Sequence, residues 1–480
     1  MQANPLKTIM NPKSIVFLGG SNSIQTVGTA QLLNIVKGGY KGKVYPVHLK
    51  EKTVLGLNAY PSITDLPEPP ELAVMVIPNP AIPGALDECG KKGIRHAIII
   101  TAGYEEMGNE GKQMQQQLVE IAGRYGIRFL GPNCIGIINC SISLNTTWFA
   151  CKYKPGKVGV ISQSGSYVTQ TLPYFAKLGL GLSQAISIGN QADIDMVNCL
   201  EYLSEDPNTK TIALYIEGLK NPRVFLELAR RVTHKKPIVA LYVGGTEAGS
   251  RSCASHTGSI SGPDEVYGAL FKQAGILRAQ SFSDLFDWCL ALAQQPLPAG
   301  NNIAILSNSG GPGTSMADEC NRHELLVPKF DMGTQEKIRA ITPLTASCKN
   351  PIDLTMNYDL GLLYKTLPDL ILNLSNIDGM LLYGIFGPIH FREKMAMSDE
   401  LVDVPMELME RLMRETCGEF VEFPDKYRKP ILCACFCGRE DEAVTLIQDG
   451  GIPVYPTPGR AARAMAALRE YKKIRDKNHR

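Results

Sequence analysis

Ser14-Ile15-Val16-Phe17-Leu18-Gly19-Gly20-Ser21 is the stretch that decides the fold class. A short apolar, β-rich run reads as a strand buried on both faces. The glycines form a tight turn, and residues 32–36 continue with helical spacing. The pattern recurs. Residues 43–47, 73–77 and 96–100 read as further strands, with helices near 81–92 and 109–125 between them. Strand and helix in alternation predict a parallel sheet with helices on both faces.

This first unit is expected to end after Gly131-Pro132-Asn133-Cys134, giving a domain over 1–150. A boundary is expected at Lys154-Pro155-Gly156, and a second domain over 151–293. Its strands are predicted at 158–161, 182–188, 211–216 and 237–243, and its helices at 195–203, 222–232 and 264–274. Pro173 should kink or shorten the helix that follows the first of these strands. Residues 294–300, with Pro296, Pro298 and Gly300, read as a linker. A third alternation over 301–480 has strands at 303–307, 379–386 and 430–435 and a closing helix at 461–475. The fold class is therefore α/β, with three consecutive parallel-sheet domains. No fixed sequence period relates them, so they are not read as repeats.

Composition narrows the function. Of 480 residues, 49 are Lys or Arg and 47 Asp or Glu, a formal net charge of +2. No strong field favours nucleic acid or an anionic membrane. No apolar run approaches the ~20 residues of a membrane span, and residues 1–12 lack the apolar core of a signal peptide. Thirteen cysteines in unpatterned, mostly apolar settings fit a reducing cytoplasm. Cys433, Cys435 and Cys437 alternate. Period-two spacing puts them on one strand face, so core packing is the expected reading and no metal site is assigned.

Five motifs could carry chemistry. Gly19-Gly20-Ser21 follows the first strand, where a phosphate could approach backbone N–H groups. A structural turn is about as plausible, because GxGxxG is absent. Pro78-Asn79 and Thr101-Ala102-Gly103 lie at further strand ends on the same edge. Ser162-Gln163-Ser164-Gly165-Ser166 repeats the strand–turn–helix logic with three hydroxyls, fit either for helix capping or for a small anion. Glu217 ends the strand at 211–216 and is either a loop residue or an acidic partner for an imidazole. His256 lies in Ser255-His256-Thr257-Gly258, within a small-residue loop at 244–262. Neutral imidazole is nucleophilic near pH 7, which suits it to carrying phosphate. The other six histidines, His48, His96, His234, His323, His390 and His479, are read as structural or surface residues. Asn308-Ser309-Gly310-Gly311-Pro312-Gly313 is either an anion-binding turn or a structural one.

In this order the motifs resemble one family, the ADP-forming acyl-CoA synthetases, relatives of succinyl-CoA synthetase. Tyr60-Pro61-Ser62 to Leu66-Pro67-Glu68, Thr101-Ala102-Gly103, Gly131-Pro132-Asn133-Cys134-Ile135-Gly136, Ile161-Ser162-Gln163-Ser164-Gly165, Ser187-Ile188-Gly189-Asn190, Tyr215-Ile216-Glu217-Gly218, Ser255-His256-Thr257-Gly258-Ser259 and Asn350-Pro351-Ile352-Asp353-Leu354 carry the resemblance over nearly the whole chain. It implies a Rossmann-like CoA-binding domain followed by two flavodoxin-like ligase domains. It implies the reversible conversion of acyl-CoA, ADP and phosphate to a carboxylic acid, CoA and ATP. Phosphate near Ser162, Gln163, Ser164, Gly165 and Ser166 would give an acyl phosphate. His256 would take the phosphoryl group and carry it to a nucleotide site, with Glu217 steadying the imidazole. CoA would lie along Gly19, Gly20, Ser21, Lys50, Pro78, Asn79 and Thr101 to Gly103.

The family's nucleotide, with Mg2+, sits in an ATP-grasp module that these 480 residues do not contain. The resemblance therefore implies an alpha subunit with an ATP-grasp beta partner, paired as α2β2. Ser166 and Tyr167 replace the family's common small and apolar pair, and Tyr167 is expected to line the acyl pocket or to pack. Tyr242 and Gly245 stand where many relatives have Lys and Arg, which puts acetate specificity in doubt. The competing reading is a CoA-binding scaffold that has lost catalysis; retention of His256 and Glu217 argues against it.

Overall fold

The computed structural model describes residues 4–150, 153–257, 262–357, 359–385, 387, 397 and 406–477, without the side chains at 254–257, 406 and 409. Two compact units are present. One comprises Met1–Tyr174 with Gly181–Ala279, the other Phe175–Leu180 with Gln280–Arg480.

The first unit contains two sheets. In the first sheet the order is Lys43–Val47, Ser14–Leu18, Leu72–Met75, His96–Ile99, Arg128–Leu130, and every pairing is parallel. Numbered along the chain, this is order 2-1-3-4-5. Ser14–Leu18 is buried throughout, as a strand covered by helices on both faces must be. The second sheet runs Leu277–Ala279, Ile238–Tyr242, Thr211–Ile216, Lys154–Ser162, Gly181–Ser187, Ile137–Asn139, Leu144–Asn145. Its first five strands are parallel and again follow order 2-1-3-4-5. One apolar cluster joins the two sheets, from Ile15 and Phe17 through Ile161 and Ile186 to Phe271.

The second unit holds a third sheet, Ile352–Asp353, Ile303–Ser307, Gly379–Tyr383, Ile431–Ala434, Val454–Tyr455, parallel throughout. Its order is the same once more. The topology repeats three times although the sequence shows no period. In such sheets the crossovers leave in opposite directions from strands 1 and 3, and a crevice opens at their carboxyl ends. Those ends are Leu18 and Met75, Ser162 and Ile216, and Ser307 and Tyr383.

Several expectations need correction. Ile137–Asn139 and Leu144–Asn145, expected in the first domain, pair antiparallel in the second sheet. Lys154-Pro155-Gly156 is the start of the strand Lys154–Ser162, because its outer end still pairs with Gly181. The segment 294–300 does not divide two bodies. The helix Phe282–Gln294 belongs with the second unit, where Gln295 Nε2 donates to Gly451 O at 2.7 Å and its Oε1 accepts from Ile431 N at 2.9 Å. The prolines end the helix; the glutamine fixes the turn. The loop predicted around His256 is largely the helix Glu247–Thr257. Thr246 Oγ1 accepts from Gly249 N at 3.1 Å to start it, and Arg251 reaches back one turn to Glu247 at 2.5 Å. Small residues had masked these helix signals.

Among the described residues no helix is long and apolar enough to cross a membrane.

Candidate functional site

At the first sheet's crevice, Gly19 has φ +101°, and a Cβ there would lie 2.0 Å from Val76 O. Only glycine fits. The turn does not itself begin a helix. Thr26 caps Val27–Lys37, and Ser21 is tied into that first turn through its N–H to Thr29 Oγ1 at 2.9 Å. Thr101 Oγ1 donates to Ile77 O at 2.6 Å, and Asn79 Nδ2 to Gly103 O at 3.3 Å. The structure thus lines Gly19, Gly20, Ser21, Pro78, Asn79, Thr101, Ala102 and Gly103 along one edge. Lys50 is exposed in the neighbouring loop. That loop is held to the edge by Asn22, whose Nδ2 donates to Glu51 and, at 2.9 Å, to Thr53 O.

This edge is wired to the second sheet. Gly103 N donates to Glu106 Oε1 at 2.6 Å, and Asn190 Nδ2 donates to Glu106 Oε2 at 2.6 Å. Asn133 Nδ2 in turn donates to Asn190 Oδ1 at 3.2 Å. Sequence reading assigned no role to Glu106 or Asn190. The only signal was the Ser187-Ile188-Gly189-Asn190 match itself.

At the second crevice Ser162, Gln163 and Ser164 are buried, and Ser162 Oγ donates to Ser164 O at 2.7 Å. The helix after them is the single turn Ser166–Thr169, followed by Leu172–Leu178 with Pro173 in its first turn. A one-turn helix has little dipole to offer, so this site is built on side chains rather than on a helix end. Gln163 is its centre. Its Oε1 accepts from Glu217 N at 2.6 Å and Gly218 N at 3.0 Å. The carboxamide is thereby oriented, and among the described residues its buried Nε2 has no protein partner. A buried donor without an acceptor costs about 1–3 kcal/mol, which an anion would recover.

Glu217 is 2% exposed. Its carboxylate stands close enough to Tyr167, Tyr215 and Cys253 to add to the rise that burial produces in each of their pKa values. Tyr167 stacks on Tyr215 with centroids 4.0 Å apart. It therefore packs beside Glu217.

Cys253 is buried in the helix Glu247–Thr257, which also packs on the turn Glu105–Met107 below the first edge. The His256 side chain and residues Gly258 and Ser259 lie outside the described residues, as do His390 and His479. Tyr242, one departure from the family pattern, stacks on Tyr267 at 3.7 Å and donates to Gly262 O at 2.7 Å, closing the base of this segment. Gly245 is pressed against Asp264, whose Oδ1 would lie 2.4 Å from a Cβ.

In the third sheet, Asn308-Ser309-Gly310 leads into the helix Gly310–Arg322. Gly384, at φ +119°, makes room for the Asn308 side chain, whose buried Nδ2 has no partner among the described residues.

Two family models match the chain, a CoA binding domain over residues 13–139 and a succinyl-CoA ligase like flavodoxin domain over 155–292. The acetate–CoA ligase [ADP-forming] I subunit alpha of Pyrococcus furiosus is 37% identical over 480 residues, covering 98% of this chain and 99% of that protein. The 4-hydroxybutyrate–CoA ligase [ADP-forming] of Nitrosopumilus maritimus is 33% identical over 468 residues, covering 96% of this chain and 63% of that one. A solved structure of acetyl-coenzyme A synthetase 1 from Ca. Korarchaeum cryptofilum, in complex with phosphate and ADP, superposes with a TM-score of 0.85 at 33% identity, covering 98% of each chain.

Proposed function

The chain belongs to the ADP-forming acyl-CoA synthetases, in the branch of their alpha subunits, and on that premise we propose that it interconverts acyl-CoA, ADP and phosphate with carboxylic acid, CoA and ATP through His256. The observation that carries the reading is the Gln163 carboxamide, fixed by Glu217 N and Gly218 N, with a buried Nε2 that has no partner among the described residues. Ser162, Ser164, Gly165 and Ser166 form the rest of the cradle.

A phosphate oxygen held there attacks the thioester carbonyl, and the CoA sulfur leaves and takes a proton. The product is an acyl phosphate. An imidazole nitrogen of His256 then attacks phosphorus and the carboxylate departs, leaving phosphohistidine. Glu217 stabilises the imidazolium charge that develops, as a buried carboxylate does for a phosphorylated or protonated ring. The Glu106–Asn190 link holds the CoA edge of Gly19 to Ser21, Lys50, Pro78, Asn79 and Thr101 to Gly103 in register with the cradle, so that thioester and phosphate meet already positioned.

The phosphoryl group goes next to ADP, which we assign, with Mg2+, to an ATP-grasp beta subunit in an α2β2 assembly. A cytoplasmic location fits the buried thiols. The carboxylic acid is a small one whose identity depends on the Tyr167–Tyr215 wall.

The test is phosphorylation. With its partner subunit, the chain incubated with γ-labelled ATP should take up acid-labile, base-stable label. His256→Ala should take up none, and Glu217→Gln should take it up more slowly. Undiminished label in His256→Ala would overturn the role of His256, and no label in the parent would leave only a CoA binder.

A further inference from the structure

We propose that Cys435 and Cys437 are a dithiol pair that closes reversibly to an intramolecular disulfide at the carboxyl edge of the third sheet. The alternating cysteines at 433, 435 and 437 suggested one strand face. The strand ends at Ala434 instead, and the chain bends at Phe436 and Cys437. Cys433 stays in the core at 0% exposure, Cys435 is 5% exposed, and Cys437 is half-buried.

The bend folds Cys437 back on Cys435. Cys437 N donates to Cys435 Sγ at 3.4 Å, so one hydrogen bond ties the two residues together across the bend. Two bonds set the turn beyond them, Gly438 N to Glu440 Oε1 at 2.7 Å and Asp441 N to Gly438 O at 3.1 Å. Two cysteines tied across one bend need little backbone movement to bond.

The roles follow from exposure. Cys437 is reachable from solvent and meets the oxidant, a low-molecular-weight disulfide. Its thiolate attacks one sulfur of that disulfide, forming a mixed disulfide and expelling one thiol. Cys435 then loses its proton and attacks Cys437 Sγ, expelling the second thiol. Overall two protein thiols are oxidised and one small disulfide is reduced to two thiols. Burial pushes the Cys435 thiol up to about 12, so the second step is the slow one.

The bond has a neighbour that matters. In the reduced form Cys435 Sγ donates to Ile385 O at 3.4 Å. Ile385 follows Gly384, against which the Asn308 side chain is seated. Closing the disulfide removes that hydrogen bond, beside the turn at the third crevice.

The test uses the reduced full chain, incubated with glutathione disulfide, alkylated and digested with trypsin. The peptide over residues 429–439 should appear with two hydrogens fewer, one alkylated cysteine at 433 and no glutathione adduct, and dithiothreitol should restore three alkylated positions. Cys437→Ser should abolish the species, whereas Cys433→Ala should keep it. A peptide alkylated at all three cysteines, a stable glutathione adduct on Cys437, or a bond involving Cys433 would each overturn the proposal.

Discussion

Gln163→Glu separates the two jobs of the central carboxamide. An oxygen still faces Glu217 N and Gly218 N, at 2.6 and 3.0 Å in the parent, so the backbone that carries Glu217 keeps its acceptor. The other corner changes from a buried N–H donor to an oxygen. A hydrogen bond to a charged acceptor contributes about 1.5–3 kcal/mol, or roughly 10- to 150-fold at about 1.4 kcal/mol per decade. The expected result is a fall of that size in kcat/KM for phosphate, with CoA affinity unchanged because the CoA edge is not touched. The sign of the pH effect is also fixed. The new carboxyl takes the place of a side chain that is 1% exposed, beside Glu217, so burial and like charge raise its pKa. Below that pKa its neutral O–H donates again. The deficit relative to the parent should shrink as pH falls and widen as it rises. Initial rates against phosphate concentration at several pH values measure this, with the thermal midpoint as the folding control. Parental phosphate dependence at pH 8, or a deficit that deepens on acidification, would refute the assignment of Gln163 as the phosphate donor.

Gly19→Ala puts a Cβ 2.0 Å from Val76 O at φ +101°. The turn must move, at a strain of about 1–2 kcal/mol or more, and calorimetry should show CoA binding weakened by roughly tenfold. Tyr167→Ala removes the ring stacked at 4.0 Å on Tyr215; a substrate panel should shift toward bulkier acids, and an unchanged ranking would mean that the ring only packs. Arg460→Met strips the partner, 2.6 Å away, from Asp287, which is 1% exposed. An uncompensated buried charge costs about 3–5 kcal/mol, on the order of 10 °C in midpoint for a unit of this size. Burial already pushes the Asp287 carboxyl up to about 6 against the pull of Arg460, and without the arginine it rises further. The deficit should therefore narrow in thermal scans as pH falls from the variant's raised pKa toward about 6, where the folded carboxyl is protonated in both proteins.

The strands were legible because they are buried on both faces and so appear as unbroken apolar runs: Thr211–Ile216 and Ile303–Ser307 stand where the pattern put them. The helix Asp264–Ala274 was legible for its periodicity and the glycine that follows it. What the sequence hid depended on partners distant along the chain. Nothing local distinguishes Gln295 in a proline-rich stretch from a linker residue; it is fixed by Gly451 and Ile431. Nothing local marks Glu106 either, since its function comes from bonds to Gly103 and Asn190.

The common strand order explains why motifs of different composition fell at equivalent places. In each sheet the crevice between strands 1 and 3 is fixed by topology, not by residue type, so each sequence is free to furnish it differently. The first uses a glycine that lets backbone come within contact of backbone, at Gly19 and Val76, which leaves room for an extended ligand lying along main chain. The second fills the same place with Gln163 and Glu217; the Gln163 side chain, held by Glu217 N and Gly218 N, keeps one donor turned inward, which suits a compact anion. Exchanging the two furnishings should therefore exchange ligand size rather than abolish binding. The smallest version of that exchange is Gln163→Gly. It removes the donor and the acceptor together, and it should lose phosphate dependence and stability at once where Gln163→Glu loses only the first. If the two variants proved equally stable, the bonds to Glu217 N and Gly218 N would not be holding the strand end, and the division of labour between the crevices would fail with them.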